Sequence, residues 1–175
     1  MPVLYYTLED SVRRCKYRLS KLLPPRTPWP ANLHFSETSS GTTGLANDIK
    51  AVGARAVIID TFAAFATVKD GNDYYETTKI IRELKEIADT MQIAVIIVHH
   101  SRKGGRGEKG EKSGDGDWTS EIMGSQGLTG AADAIIGLLR RRGDEKATLA
   151  ITGRDISDTF IKLRFSDGFW GSYDK

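Results

Sequence analysis

Apolar positions along the chain alternate between two periods. Val3-Leu4-Tyr5-Tyr6-Thr7-Leu8 is a nearly continuous β-branched and aromatic run, which predicts a strand buried on both faces. It stops at Glu9-Asp10-Ser11. Val12, Cys15, Leu19, Leu22 and Leu23 then recur with basic residues between them, the period of an amphipathic helix capped by Asp10 or Ser11 and stopped by prolines 24, 25, 28 and 30. A short strand (32–35) and a helix (about 43–52) lead to Arg55-Ala56-Val57-Ile58-Ile59-Asp60, a second buried strand that ends on a carboxylate. Ile80, Ile81, Leu84, Ile87, Ala88 and Met91 mark a further helix. Residues 93–98 are a third continuous apolar strand, and its end carries His99-His100-Ser101-Arg102. Buried strands alternating with helices predict parallel βαβ units in an α/β domain.

The remainder changes character. Arg102 to Asp117 holds six glycines, five basic and four acidic residues and no apolar one, so it cannot bury itself and reads as a loop. A short helix is expected over about 120–132. Strands at 134–139, 148–152, 159–165 and 169–173, separated by Gly/Asp turns, are expected as antiparallel additions to the sheet. With no internal repeat and no evident domain boundary, 1–175 reads as a single domain.

Composition narrows the class. At 175 residues, 39% hydrophobic and 27% charged, the profile is that of a water-soluble globular protein. The single Cys15 excludes a disulfide scaffold and a cysteine-rich zinc module, and its thiol fits a reducing cytoplasm. No apolar run approaches the roughly 18 residues that span a bilayer, and Met1-Pro2-Val3 opens without a basic n-region or apolar h-region, so a cytoplasmic protein without membrane partners is expected. A net charge of +2 is too small for bulk attraction to nucleic acid, which leaves only local sites to argue from.

In open α/β sheets, ligands bind beyond the carboxyl ends of the strands, so the informative residues are Glu9, Asp60 and His99/His100. Acids at such ends can hold magnesium through water or orient an attacking water. Each acid taken alone reads better as a helix cap than as a site. Their shared position at strand ends favours a site.

The series Leu4 to Ser11, Val57-Ile58-Ile59-Asp60-Thr61, Val95 to Lys103, Gly124-Ser125-Gln126-Gly127-Leu128 and Thr152-Gly153-Arg154-Asp155 resembles the RecA-like hexameric ATPases, closest to plasmid RepA-type replicative helicases. The resemblance runs over almost the whole chain, in order. It implies a RecA-like P-loop NTPase core with a mostly parallel sheet, flanking helices and antiparallel C-terminal strands, acting with ATP and Mg in DNA replication. By the same resemblance Glu9 is the catalytic glutamate that polarises the attacking water, and Asp60 is the nucleotide-site aspartate that supports magnesium. His100 senses the γ-phosphate, with His99 as the alternative at one residue's slip, and Arg154 is the finger acting on the neighbouring subunit's site. Relatives often carry Lys two residues before that Arg, where this chain has Thr152.

The largest departure is the phosphate-binding loop. Gly-x-x-x-x-Gly-Lys-Ser/Thr cradles phosphates through backbone amides and lysine, and no segment fits it. Between Gly105 and Ser113 the glycines are correctly spaced, but Glu111 intrudes before Lys112-Ser113 and no strand feeds the segment. The Gly124 to Gly130 run has a dinucleotide-loop look without a preceding strand, and reads as a helix start. Against the family, the sequence begins at the second strand of the core, so 1–175 is a partial RecA-like ATPase domain whose first strand and P-loop are missing. The missing strand is expected to leave unpaired backbone groups, and the chain alone is not expected to turn over ATP. A longer natural protein, a partner polypeptide supplying the strand and a degenerate product all fit.

The loop 102–117 sits where such helicases place a pore loop touching single-stranded DNA. Arg102, Lys103, Arg106, Lys109 and Lys112 suit phosphate contact and Trp118 could stack on a base, with a solvated connector the equal alternative. Residues 68–75, with Lys69 and Tyr74-Tyr75, are a second and weaker candidate for such a loop. Arg140-Arg141-Arg142 reads as a solvated turn, His34 as structural or exposed, and Phe160, Phe165, Phe169 and Trp170 as core or subunit contact. The resemblance implies a homohexamer. Two other readings remain open, a P-loop-lacking regulatory subunit of a ring and a simple single-strand DNA binder.

Overall fold

The structure is a computed structural model and describes residues 1–66, 74–100, 118–121, 130–141 and 143–173. The chain divides into two compact units, 1–101 and 102–175. In the first, β1 (Val3–Thr7), α1 (Val12–Leu22), β2 (Leu33–Ser36), α2 (Gly41–Val52), β3 (Ala56–Asp60), α3 (Phe62–Ala66), α4 (Tyr74–Met91) and β4 (Ala94–Val98) follow in sequence. The sheet runs β2-β1-β3-β4 and every pairing is parallel.

Local chemistry explains the boundaries. Ser11 caps α1 by accepting from the Arg14 amide at 3.3 Å, so of the two expected caps the serine serves. α2 ends at Gly53 in the left-handed region (φ 64°), whose amide satisfies the Ile49 and Lys50 carbonyls. The central strands and their helices supply the core: Tyr6, Val57 and Ile59 from the sheet, Leu45 and Ile49 from α2, Ile81 and Leu84 from α4.

β4 departs from expectation. Its apolar run predicts burial on both faces, yet Ile96 is 50% exposed. Among the described residues β4 pairs only with β3, so no strand lies along its other edge. The short helix α3 was also not expected. It covers the end of β3 with buried Phe62 and Phe65.

The second unit holds β5 (Ala134–Arg140), β6 (Lys146–Gly153), β7 (Ile156–Ser166) and β8 (Phe169–Ser172), an antiparallel meander in that order. Asp167 and Gly168, both at positive φ, form the two-residue hairpin between β7 and β8. They are antiparallel as expected, and among the described residues they pair only with one another, where additions to the parallel sheet were expected. Residues 118–121 form a 3-10 turn, and the rest of the helix expected over 120–132 falls largely outside the described residues. Phe160, Phe165 and Phe169 are 50%, 38% and 53% exposed, which does not fit the core reading. No helix among the described residues is long and apolar enough to cross a membrane.

Candidate active site at the strand ends

Strand register brings the predicted residues together. Thr7 is level with Asp60 across β1 and β3, and Asp60 with Val98 across β3 and β4, so Glu9, Asp60-Thr61 and His99-His100 leave three adjacent strands side by side. A further backbone bond, Leu8 N–H to the Asp60 carbonyl at 2.8 Å, carries the pairing one residue past β1.

The side chains settle what each acid is used for locally. Glu9 Oε1 accepts from Thr61 Oγ1 at 2.6 Å, and its Oε2 lies 3.8 Å from His100 Nε2. Glu9 is therefore not spent on the start of α1. That task falls to Ser11, while Asp10 forms exposed ion pairs with Arg14 (3.1 Å) and Arg18 (2.6 Å), contacts of small energetic weight. Nor is the Asp60 carboxylate a cap, since its Oδ2 accepts from the Tyr5 hydroxyl at 2.6 Å. Burial, then this hydrogen bond and the charge of Asp60, push the Tyr5 phenol well above its ordinary pKa, so the hydroxyl stays a donor.

The two histidines part ways. His99 turns its ring edge-on to Phe62 (centroids 5.9 Å apart), whereas His100, with a side chain 75% exposed, faces Glu9. The result is a solvent-open edge at which Glu9 meets Thr61 and His100, with the tyrosine-held Asp60 ending the strand between those that lead to Glu9 and His100.

Such an edge can hold magnesium in the way that ion is usually held. No cluster of three or more His, Cys, Asp or Glu able to hold a metal occurs among the described residues. Magnesium, however, keeps most of its waters and takes one or two protein carboxylates plus substrate phosphates. Asp60 fits that part, because Tyr5 engages one of its oxygens.

The remaining predicted residues lie elsewhere. Arg154 sits in the tight connection between β6 and β7, where it donates to the Gly130 carbonyl at 3.0 Å and lies 3.7 Å from the Asp133 carboxylate. Its side chain is 54% exposed. Trp118 lays its ring against Gly137, where an added Cβ would stand 2.5 Å from the indole, so one part of the ring is already covered. Arg102, Lys103, Arg106, Lys109 and Lys112 lie outside the described residues, as do Lys69 and the Gly124 to Leu128 motif. Arg140, expected in a solvated turn, is the last residue of β5, where it stacks over Trp170 at 5.6 Å and donates to the Asp144 carbonyl. His34 lines a groove of about 670 Å³ with Tyr6, Trp29, Phe35 and Asp48, beside β2.

Sequence reading passed over Tyr5 and Thr61. The available signal was their placement, one a polar-tipped aromatic inside a buried strand and the other the residue following a strand-ending aspartate.

Comparisons with known proteins agree with this architecture. Curated proteins give no match. Among solved structures, the chain is similar to a KaiC-like protein from the hyperthermophilic archaeon Pyrococcus horikoshii OT3, with a TM-score of 0.61 and 14% identity, over 99% of this chain and 76% of that one. At that identity the likeness concerns the fold, a RecA-like α/β core. The family described as AAA domain matches residues 1–106, which span all of β1 to β4 together with Glu9, Asp60 and His100. Since the match takes in more than half of the 175 residues, the chain belongs to the AAA domain family of ATPases.

Proposed function

We propose that residues 1–175 are the part of a RepA-type replicative helicase subunit that follows the P-loop, a partial RecA-like domain of a cytoplasmic homohexamer that hydrolyses ATP while moving along single-stranded DNA. The observation that carries this reading is the convergence of Glu9, Asp60 and His100 on three adjacent strand ends, with Glu9 free of any capping role. Glu9 accepts a proton from the water that attacks the γ-phosphate, and Asp60 holds magnesium through water. Bound magnesium neutralises charge on the phosphates. His100, within reach of Glu9, senses the γ-phosphate, and the exposed Arg154 serves the neighbouring subunit's site.

The phosphate-binding loop comes, on this reading, from a segment outside residues 1–175 or from a partner chain. The exposed apolar edge of β4 is consistent with a further strand docking there. Arg102, Lys103, Arg106, Lys109, Lys112 and Trp118 contact single-stranded DNA.

ATP hydrolysis by the complete protein, measured with and without single-stranded DNA, tests the proposal. Turnover stimulated by DNA and removed by Glu9→Gln is expected. Turnover untouched by Glu9→Gln would remove Glu9 from the mechanism. Salt-dependent DNA binding with no nucleotide requirement and no hydrolysis would instead make the chain a single-strand binder.

A further inference from the structure

From the contact between a buried hydroxyl and an exposed carboxylate, we infer that Thr61 is a positioning residue for Glu9, an inference that rests on the role just proposed for Glu9. Thr61 is 1% exposed, follows the last residue of β3, and has its carbonyl tied to the Phe65 amide at 3.0 Å. Glu9 is its opposite. It stands two residues beyond the end of β1 with a side chain 51% exposed and three rotatable torsions. A general base acts only when its oxygen is held within hydrogen-bond reach of the water it deprotonates. The hydroxyl at 2.6 Å from Oε1 supplies that restraint, and as a bond to an ionised acceptor it belongs to the stronger class.

The bond also divides the work of the two oxygens. Oε1 is anchored inward on Thr61, and Oε2, on the side of His100, is left to meet water. The same oxygen also accepts from the Ala64 amide, a long contact of 3.5 Å on a helix of only five residues, and this leaves its proton for Glu9.

The test is steady-state ATP hydrolysis by the complete protein with Thr61→Val, Thr61→Ser and Glu9→Gln, each checked by thermal melting. Thr61→Val keeps the shape and removes the hydroxyl. It should lower kcat about 10- to 100-fold with KM for ATP unchanged. Thr61→Ser, which keeps the hydroxyl, should return kcat to within about threefold of wild type. A structural role would show in the melt and not in this kcat pattern. Should the buried valine prevent folding, Thr61→Ala, which adds no bulk, takes its place with the same expectation. Loss of turnover in Glu9→Gln with wild-type kcat in both Thr61→Val and Thr61→Ala would overturn the positioning role and leave the proposed function standing. Wild-type turnover in Glu9→Gln, or no hydrolysis by the wild type, would overturn both.

Discussion

The phenol of Tyr5 on β1 and the carboxylate of Asp60 on β3 are joined across the sheet by a 2.6 Å hydrogen bond, with Tyr5 four residues before Glu9 in the sequence. Tyr6, the next residue, points to the opposite face and donates to Asp48 of α2, also at 2.6 Å. Two adjacent tyrosines thus hold two carboxylates on opposite faces of one strand.

This pairing makes stability sensitive to alkali. Burial first, then the neighbouring carboxylates, raise both phenols above a free tyrosine's pKa, so the folded chain keeps protons that the unfolded chain loses near pH 10. The contribution is complete below about pH 10 and is lost progressively as the pH rises beyond it. Urea midpoints measured from pH 8 to 11 should fall in the upper part of that range. Tyr5→Phe and Tyr6→Phe should each flatten the fall, and an unaltered slope in both would contradict the assignment.

Capping gives a second, local expectation. Ser11 accepts from the Arg14 amide at the start of an α1 that buries none of its residues, so little packing compensates for a lost cap. Ser11→Ala should cost about 1 kcal/mol in urea-melt stability, whereas Asp10→Ala, which removes two exposed ion pairs, should cost less. Equal losses would assign the cap wrongly.

In the second unit, the Trp118 indole occupies the space above Gly137. A methyl group at Gly137 would stand 2.5 Å from the ring, so the indole must move aside in Gly137→Ala. A shift of tryptophan emission toward that of exposed indole is expected, with a fall in melting temperature. Unchanged emission would mean that the ring does not rest there.

Much of the first unit was legible because its signals are local. The Val3 to Leu8 and Arg55 to Asp60 runs gave strands within a residue or so of their bounds, and the 3.6-residue period from Val12 gave α1 with its cap. The gathering of Glu9, Asp60 and His100 at adjacent strand ends was legible for a topological reason, since parallel strands in register bring their carboxyl ends to one edge whatever the side chains do. What could not be read was partnership. The apolar run of β4 is the same whether a strand has one neighbour or two, so its 50% exposed Ile96 was not foreseen. Hydroxyls such as Tyr5 and Thr61 likewise carry no periodicity, and only register shows which carboxylate each one meets. The β5 to β8 alternation gave the strands but not their membership of a separate sheet, because hairpin signals report neighbours in sequence and not the sheet they join.

The central claim is that the strand-end carboxylates serve a magnesium nucleotide. Binding of a fluorescent ATP analogue to the complete protein, titrated with magnesium in the wild type and in Asp60→Ala, tests it most directly. Micromolar binding that needs magnesium and weakens at least tenfold in Asp60→Ala is the predicted result. Binding of equal strength in Asp60→Ala, or independent of magnesium, would contradict the account.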